Sequence, residues 1–153
     1  MSSDLQQLYQ QIILEHAKRR RGDGLVDAPA GAAAGESHQL NPTCGDEIAL
    51  RAVVDGSTVD GISWEGQGCS ISMASASVLT EMVAGMERRQ VSELVEDFRT
   101  LMRSRGSIEP DEEVLGDAAA FAGVARYPAR VKCAMLAWVA LEEALAQAAP
   151  AAS

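Results

Sequence analysis

Apolar residues near the start of the chain recur three and four positions apart. From Asp4 to Lys18 this spacing predicts a helix with one apolar face. The residues on that face are Leu5, Leu8, Tyr9, Ile12 and Ile13. The period is lost afterwards, and residues 27–36 are small and interrupted by Gly and Pro. This stretch is predicted to be a mobile surface loop.

The period changes to two between Glu47 and Val54, which predicts a strand with one buried face. The residues on the buried face are Ile48, Leu50, Ala52 and Val54. Asp55-Gly56 follows, and this dipeptide tolerates the positive φ of a tight turn. Thr58 to Glu65 is therefore predicted to pair back antiparallel, and Ser37 to Leu40 to add a short third strand.

Helical spacing returns after Cys69. One apolar stripe runs from Ile71 to Val83 and ends near Gly85, and a second runs from Val91 to Met102. The second stripe consists of Val91, Leu94, Val95, Phe98, Leu101 and Met102. Each stripe predicts an amphipathic helix.

Two further helices are predicted, over Asp111 to Ala122 and over Val131 to Leu145, with Pro128 in the first turn of the last one. The whole pattern predicts an α+β fold, in which about five helices pack against a small three-stranded antiparallel sheet. We expect residues 1–153 to form a single domain with a frayed tail over residues 146–153.

The composition is typical of a globular protein, with 47% hydrophobic and 23% charged residues. The formal net charge of −9 argues against a nucleic-acid partner, because phosphate contacts need a basic face. No apolar stretch is long enough to span a bilayer, and the first residues lack the pattern of a signal peptide. We therefore expect a cytoplasmic protein without a membrane partner.

The three cysteines are too few for a disulfide framework, and their odd number favours metal binding or thiol chemistry in a reducing compartment. Cys44 is predicted in the turn before a strand, Cys69 at a strand-to-helix junction and Cys133 in the first turns of the last helix. Each junction could face one pocket. A single cysteine, taken alone, is more often a small buried hydrophobe than a ligand.

The neighbours of Cys44 and Cys69 suit metal ligands. Gly45 lies between Cys44 and Asp46 and permits close backbone bending, so that the thiol and the carboxylate could bind one ion. Cys69 follows Gly68 and precedes a predicted helix, whose exposed N–H groups and dipole favour a thiolate.

Basic residues precede Cys133, and cations that point inward would favour its thiolate. They are Arg126, Arg130 and Lys132. Three thiolates and one carboxylate would leave the site anionic around a divalent ion, so a basic surrounding is physically reasonable. Lys132 is the best candidate for this compensation.

The histidines are left out of the candidate metal ligands. His16 continues the stripe of the first helix, which favours a core or interface histidine, and His38 is placed in a loop. Trp64 and Trp138 are predicted to lie in the core.

The chain resembles the U-type family of iron–sulfur assembly proteins, IscU and SufU, and most closely the SufU branch. The resemblance spans nearly the whole chain and implies an antiparallel sheet with helices over one side. It rests on Leu8-Tyr9 with Ile13-Leu14-Glu15-His16, on Asn41-Pro42-Thr43-Cys44-Gly45-Asp46, on Gly66-Gln67-Gly68-Cys69-Ser70-Ile71-Ser72 and on Arg130-Val131-Lys132-Cys133-Ala134.

The resemblance also implies four ligands for one metal ion. They are Cys44, Asp46, Cys69 and Cys133. Two departures from scaffold-type members favour Zn²⁺ and a sulfur acceptor: Lys132 stands where those members have histidine, and the stretch between Cys69 and Cys133 is longer.

By resemblance, Cys44 is the catalytic residue, which accepts persulfide sulfur from a pyridoxal-phosphate cysteine desulfurase of the SufS type. A desulfurase side chain would enter the zinc shell and release Cys44 for this transfer. A downstream iron–sulfur assembly scaffold would then receive the sulfur.

Two alternatives stay open. The same residues could assemble a [2Fe–2S] cluster or bind iron, since thiolates are the standard cluster ligands. A purely structural zinc module that serves as a binding platform is the second alternative, and the exchangeable carboxylate of Asp46 counts against it.

Overall fold

The computed structural model describes residues 3–148, which form an α+β fold. The elements in chain order are α1 (Ser3–Arg19), β1 (Ala33–Asn41), β2 (Asp46–Asp55), β3 (Thr58–Gln67), α2 (Ser70–Val83), α3 (Arg88–Arg103), α4 (Glu112–Leu115), a 3-10 helix (Gly116–Arg126) and α5 (Pro128–Gln147). The predicted fold class is confirmed. Among these elements, no helix combines the length and the apolar character that a membrane span requires.

The three strands form one antiparallel sheet in the order β1-β2-β3. β2 is the central strand, and its alternating apolar residues are buried as their period predicts. Gly56, with φ of 63°, lies in the tight turn that pairs Asp55 with Thr58. At the other end of β2, Asn41 pairs with Asp46 across a longer loop.

The first strand is longer than predicted. The strand predicted over Ser37 to Leu40 is confirmed, and His38 therefore lies in a strand and not in a loop. β1 begins at Ala33, so the loop prediction is wrong for residues 33–36. The physical reason is close packing on α5. A Cβ added to Gly35 would lie 1.8 Å from the carbonyl oxygen of Ala144. The small residues that suggested a loop allow the two backbones to approach each other.

Two helical predictions also need correction. Residues 111–126 contain the single turn of α4 and then a 3-10 helix, which begins at Gly116 with φ of 51°. α5 extends beyond the predicted end at Leu145 and includes Ala146 and Gln147, the first two residues of the predicted frayed tail. The rest of that predicted tail, apart from Ala148, lies outside the described residues.

The core joins α3, the 3-10 helix and α5 through aromatic side chains. Phe98 stacks on Trp138 with ring centroids 4.0 Å apart. Phe98 and Phe121 form a T-shaped pair with ring centroids 6.0 Å apart. The buried indole N–H of Trp138 donates to Ser75 Oγ at 2.8 Å, which ties α5 to α2. Trp64 is also fully buried, so both tryptophans lie in the core as predicted.

We expect Gly35→Ala to destabilise the fold by about 1–3 kcal/mol, because the added methyl group overlaps the backbone of α5. Gly61→Ala in β3 is the matched control, since a Cβ there would meet nothing within 4 Å. Urea unfolding measures both variants. Equal stability of the two would contradict the close contact of β1 with α5.

Candidate metal centre

Cys44 lies in the loop between β1 and β2, and its side chain is exposed. Two hydrogen bonds to the carbonyl oxygen of Asn41 close the turn of this loop. The donors are Cys44 N at 3.3 Å and Gly45 N at 2.9 Å. Gly45 has φ of 72°, a conformation that an L side chain rarely adopts. The backbone therefore holds Cys44 at the rim of the sheet while its thiol stays accessible.

Asp46 is the first residue of β2, and it is fully buried. Its Oδ1 accepts a hydrogen bond from the backbone N–H of Cys69 at 2.9 Å. Its Oδ2 is buried without a hydrogen-bond partner among residues 3–148. A buried polar oxygen without a partner is unfavourable, and a cation would supply the missing interaction.

Gly68 allows Asp46 to occupy this position. A Cβ at residue 68 would lie 2.2 Å from Asp46 Oδ1 and 2.7 Å from Ser72 Oγ. The carboxylate could not approach the N–H of Cys69 with a larger residue there. The glycine before Cys69 therefore has a packing role at the centre.

Cys69 is the residue immediately before α2, and it is exposed. Its Sγ lies 3.5 Å from Ser72 Oγ, and the same hydroxyl donates to the carbonyl oxygen of Cys69 at 3.0 Å. The free N–H groups of the first helical turn also surround this position, and they favour negative charge.

Cys133 lies in the second turn of α5 and is only 2% exposed. Burial raises the pKa of its thiol, and the neighbouring side chains of Asp46, Cys44 and Cys69 raise it further. These surroundings therefore favour the neutral thiol over the thiolate. A divalent ion reverses this preference, because it compensates the charge of a coordinating thiolate.

The structure brings the candidate ligands together. The two sulfur atoms of Cys44 and Cys133 and a carboxylate oxygen of Asp46 lie within 4.8 Å of one another. The thiol of Cys69 is not one of these three close ligand atoms. Cys69 is connected to them by the hydrogen bond from its backbone N–H to Asp46 and by the interaction of its side chain with Cys133. Sulfur and oxygen donors at such distances, with one carboxylate oxygen unpartnered, fit a zinc ion.

The basic residues that precede Cys133 are exposed. Lys132 lines a groove together with Pro42 and Thr43, beside the loop of Cys44. The Arg126 side chain packs at Gly106, where a Cβ would lie 2.8 Å from Arg126 Cγ. The Arg130 guanidinium lies over the Tyr127 ring, 5.1 Å from its centroid. None of these contacts joins a cation to a cysteine thiol.

Both histidines have partners away from the cysteines. His16 is 3% exposed, and its ring nitrogens bond to Ser77 Oγ at 2.8 Å and Asp117 Oδ2 at 3.2 Å. The prediction of a core histidine is confirmed. His38 is exposed on β1 and bonds to Glu47 Oε1 at 2.6 Å.

Three residues of the site were not identified from the sequence as functional. They are Asn41, Gly68 and Ser72. Ser72 had a recognisable signal, because a serine three positions into a helix often bonds back to the residue that precedes the helix. Asn41 and Gly68 lie within the motifs that carry the family resemblance, but these motifs do not show their contacts with Cys133 and Asp46, which are remote in sequence.

The fold and the site define a class of small α+β proteins that gather thiols and a carboxylate from three chain segments. Residues 8–134 match the family described as the NifU-like N terminal domain. The chain therefore belongs to this family, and the predicted likeness to the U-type iron–sulfur cluster assembly proteins is confirmed.

Individual relatives agree with this assignment. The chain is 38% identical over 147 residues to the zinc-dependent sulfurtransferase SufU of Bacillus subtilis strain 168, with 95% of each chain covered. It is 38% identical over 150 residues to the iron–sulfur cluster assembly scaffold protein IscU of Streptococcus pyogenes serotype M1, which covers 97% of this chain and 89% of that protein.

A solved structure is similar along most of its length. It is the protein FiSufU of Fervidobacterium islandicum AW-1, to which the role of iron–sulfur cluster assembly scaffold for the SUF system is attributed, with a TM-score of 0.75 and 33% identity. The alignment covers 91% of this chain and 97% of that one.

We expect Gly68→Ala to weaken zinc binding by about 10–100-fold, because the added methyl group displaces the Asp46 carboxylate that it would contact. Competition with a chromophoric chelator measures the affinity. Gly61→Ala, whose Cβ has open space, should bind zinc like the wild type. An unchanged affinity in Gly68→Ala would show that the position of Asp46 does not matter for the ion.

Proposed function

We propose that the protein is a zinc-dependent sulfur acceptor of iron–sulfur cluster assembly. It takes persulfide sulfur from a cytoplasmic pyridoxal-phosphate cysteine desulfurase of the SufS type and passes it to a downstream assembly scaffold. One observation carries the proposal: the exposed thiol of Cys44 lies within 4.8 Å of the buried ligand atoms of Asp46 and Cys133. The name of the Bacillus subtilis relative supports the same role.

In this proposal, four side chains hold the ion. They are Cys44, Asp46, Cys69 and Cys133. Bound Zn²⁺ supplies charge compensation, which keeps the thiols ionised and lowers their reactivity until one is released. Cys44 is the ligand that can leave, because it lies on an exposed loop, whereas Cys133 and Asp46 are buried.

The transfer step is a thiol–persulfide exchange. The Cys44 thiolate attacks the terminal sulfur of the desulfurase persulfide, and a new S–S bond forms. The S–S bond of the donor breaks, and the desulfurase cysteine leaves as a thiolate. One thiolate is consumed and one is produced, so the step needs no further oxidant or reductant.

The second candidate function is a scaffold on which a [2Fe–2S] cluster is assembled. The name of the Streptococcus pyogenes relative favours it, and three thiols at one site would suit a cluster. Lys132 counts against it, because an ammonium group cannot ligate iron without losing its proton. Anaerobic incubation with iron and sulfide separates the two: stable brown protein supports the scaffold, and colourless zinc protein supports the acceptor.

Cys44→Ala is expected to abolish persulfide formation, since the accepting sulfur is absent. The zinc protein is incubated with a SufS-type desulfurase and L-cysteine, and intact mass spectrometry detects the added sulfur. Thr43→Ala is the matched control on the same exposed loop and should become persulfidated like the wild type.

A pull-down with the desulfurase completes this test. Cys44→Ala should still bind the enzyme, which separates lost chemistry from lost docking. Persulfide formation in Cys44→Ala would contradict the assignment of the acceptor. Wild-type protein that binds zinc but never gains sulfur would instead support the structural zinc platform.

A further inference from the structure

Asn41 contacts two parts of the candidate centre at once. It is the last residue of β1, lies opposite Asp46 in the sheet and is only 5% exposed. Its side-chain Nδ2 donates to Cys133 Sγ at 3.8 Å. Its backbone carbonyl accepts the N–H groups of Cys44 and Gly45 at 3.3 and 2.9 Å. One buried residue thus links the loop of Cys44 to the thiol on α5.

The other neighbours of Cys133 Sγ do not donate to it. As a thiol, Cys133 donates to the carbonyl oxygen of Ala129 at 3.7 Å, and that oxygen cannot donate in return. The ligand atoms of Cys44 and Asp46, which lie within 4.8 Å, are a sulfur and a carboxylate oxygen. The Asn41 amide is different, because an NH₂ group can only donate.

The thiols of Cys133 and Cys69 have hydrogen-bond partners outside the set of candidate ligands. Asn41 bonds to Cys133, and Ser72 lies 3.5 Å from Cys69. The sulfur of Cys44 interacts with Cys133, which is itself a candidate ligand. Hydrogen bonds to a coordinated sulfur draw off electron density, and such outer partners contribute strongly to metal affinity.

We propose that Asn41 is a positioning residue of the metal centre: its side-chain N–H holds Cys133 as a thiolate ligand, so that Cys133 keeps the ion when Cys44 is released. The inference rests on the proposed metal-dependent function and deepens it. The backbone carbonyl of Asn41 holds the Cys44 loop at the same time, and no side-chain substitution removes that contact.

Cobalt(II) in place of zinc tests the inference, because its sulfur-to-metal charge-transfer band reports the electron density on the thiolates. Asn41→Ala should shift this band to lower energy, since a sulfur without the N–H bond gives up an electron more easily. Asn41→Asp, which keeps the size of the side chain, should bind cobalt more weakly than the wild type. Gln39→Ala on the same strand is the matched control, since the Gln39 amide donates to Ser37 Oγ and to Glu143 Oε2 of α5.

The result separates the two proposals. A wild-type protein without a cobalt–thiolate band would overturn the metal centre and the proposed function with it. A wild-type band that stays unchanged in both Asn41 variants would overturn only the role of Asn41. Circular dichroism of the metal-free variants checks their fold, and Asn41→Asp supplies the answer if Asn41→Ala does not fold.

A second measurement tests retention of the ion after Cys44 has left. Cys44→Ala imitates that state, and its zinc affinity is measured with and without Asn41→Ala. The added substitution should lower the affinity by about 10–100-fold, as for other outer partners of metal ligands. Equal affinities in the single and double variants would overturn the proposal.

Discussion

The buried carboxylate of Asp46 is the group on which the candidate centre depends. One of its oxygens accepts the N–H of Cys69, and this bond fixes the start of α2 against the start of β2. The other oxygen is buried without a partner in the part of the chain that the structure describes. The fold therefore buries a carboxylate of which only one oxygen is stabilised by a hydrogen bond. A cation would stabilise the other oxygen.

The four candidate ligands differ in how firmly the fold holds them. Cys133 belongs to α5, which the stacked pair of Trp138 and Phe98 anchors in the core. Asp46 belongs to the central strand. Cys44 lies on an exposed loop that turns on Asn41, so its thiol can move without repacking the core. This difference in burial favours exchange at Cys44 over Cys133 and Asp46, whereas Cys69 is exposed and is held at the start of α2 by the bond from its N–H to Asp46.

The basic residues that precede Cys133 have different surroundings. Lys132 faces a groove beside the Cys44 loop, Arg126 packs at Gly106 and Arg130 lies on Tyr127. Of these three residues, Lys132 is the one that lies beside the loop of Cys44. In the proposed function a bound divalent ion would compensate the charge of the ligands, with Asn41 and Ser72 as hydrogen-bond partners of the thiols.

The sequence alone determined the elements and the junctions at which the chemistry lies. All six residues of the α3 stripe are buried, and the alternation in β2 matches its buried face. Periodicity predicts such features well because it is a local property of the chain. Small residues were misleading in β1, where Gly35 signals close packing on α5 and not a loop.

Only the tertiary structure decided the distances within the site. Cys133 is remote in sequence from Cys44 and Asp46, and its approach to them depends on how α5 packs across the sheet. The unpartnered oxygen of Asp46, the need for a glycine at residue 68 and the bond from Asn41 to Cys133 all follow from that packing. A sequence pattern specifies which residues face inward, but contacts between distant segments arise only when the elements assemble into one core.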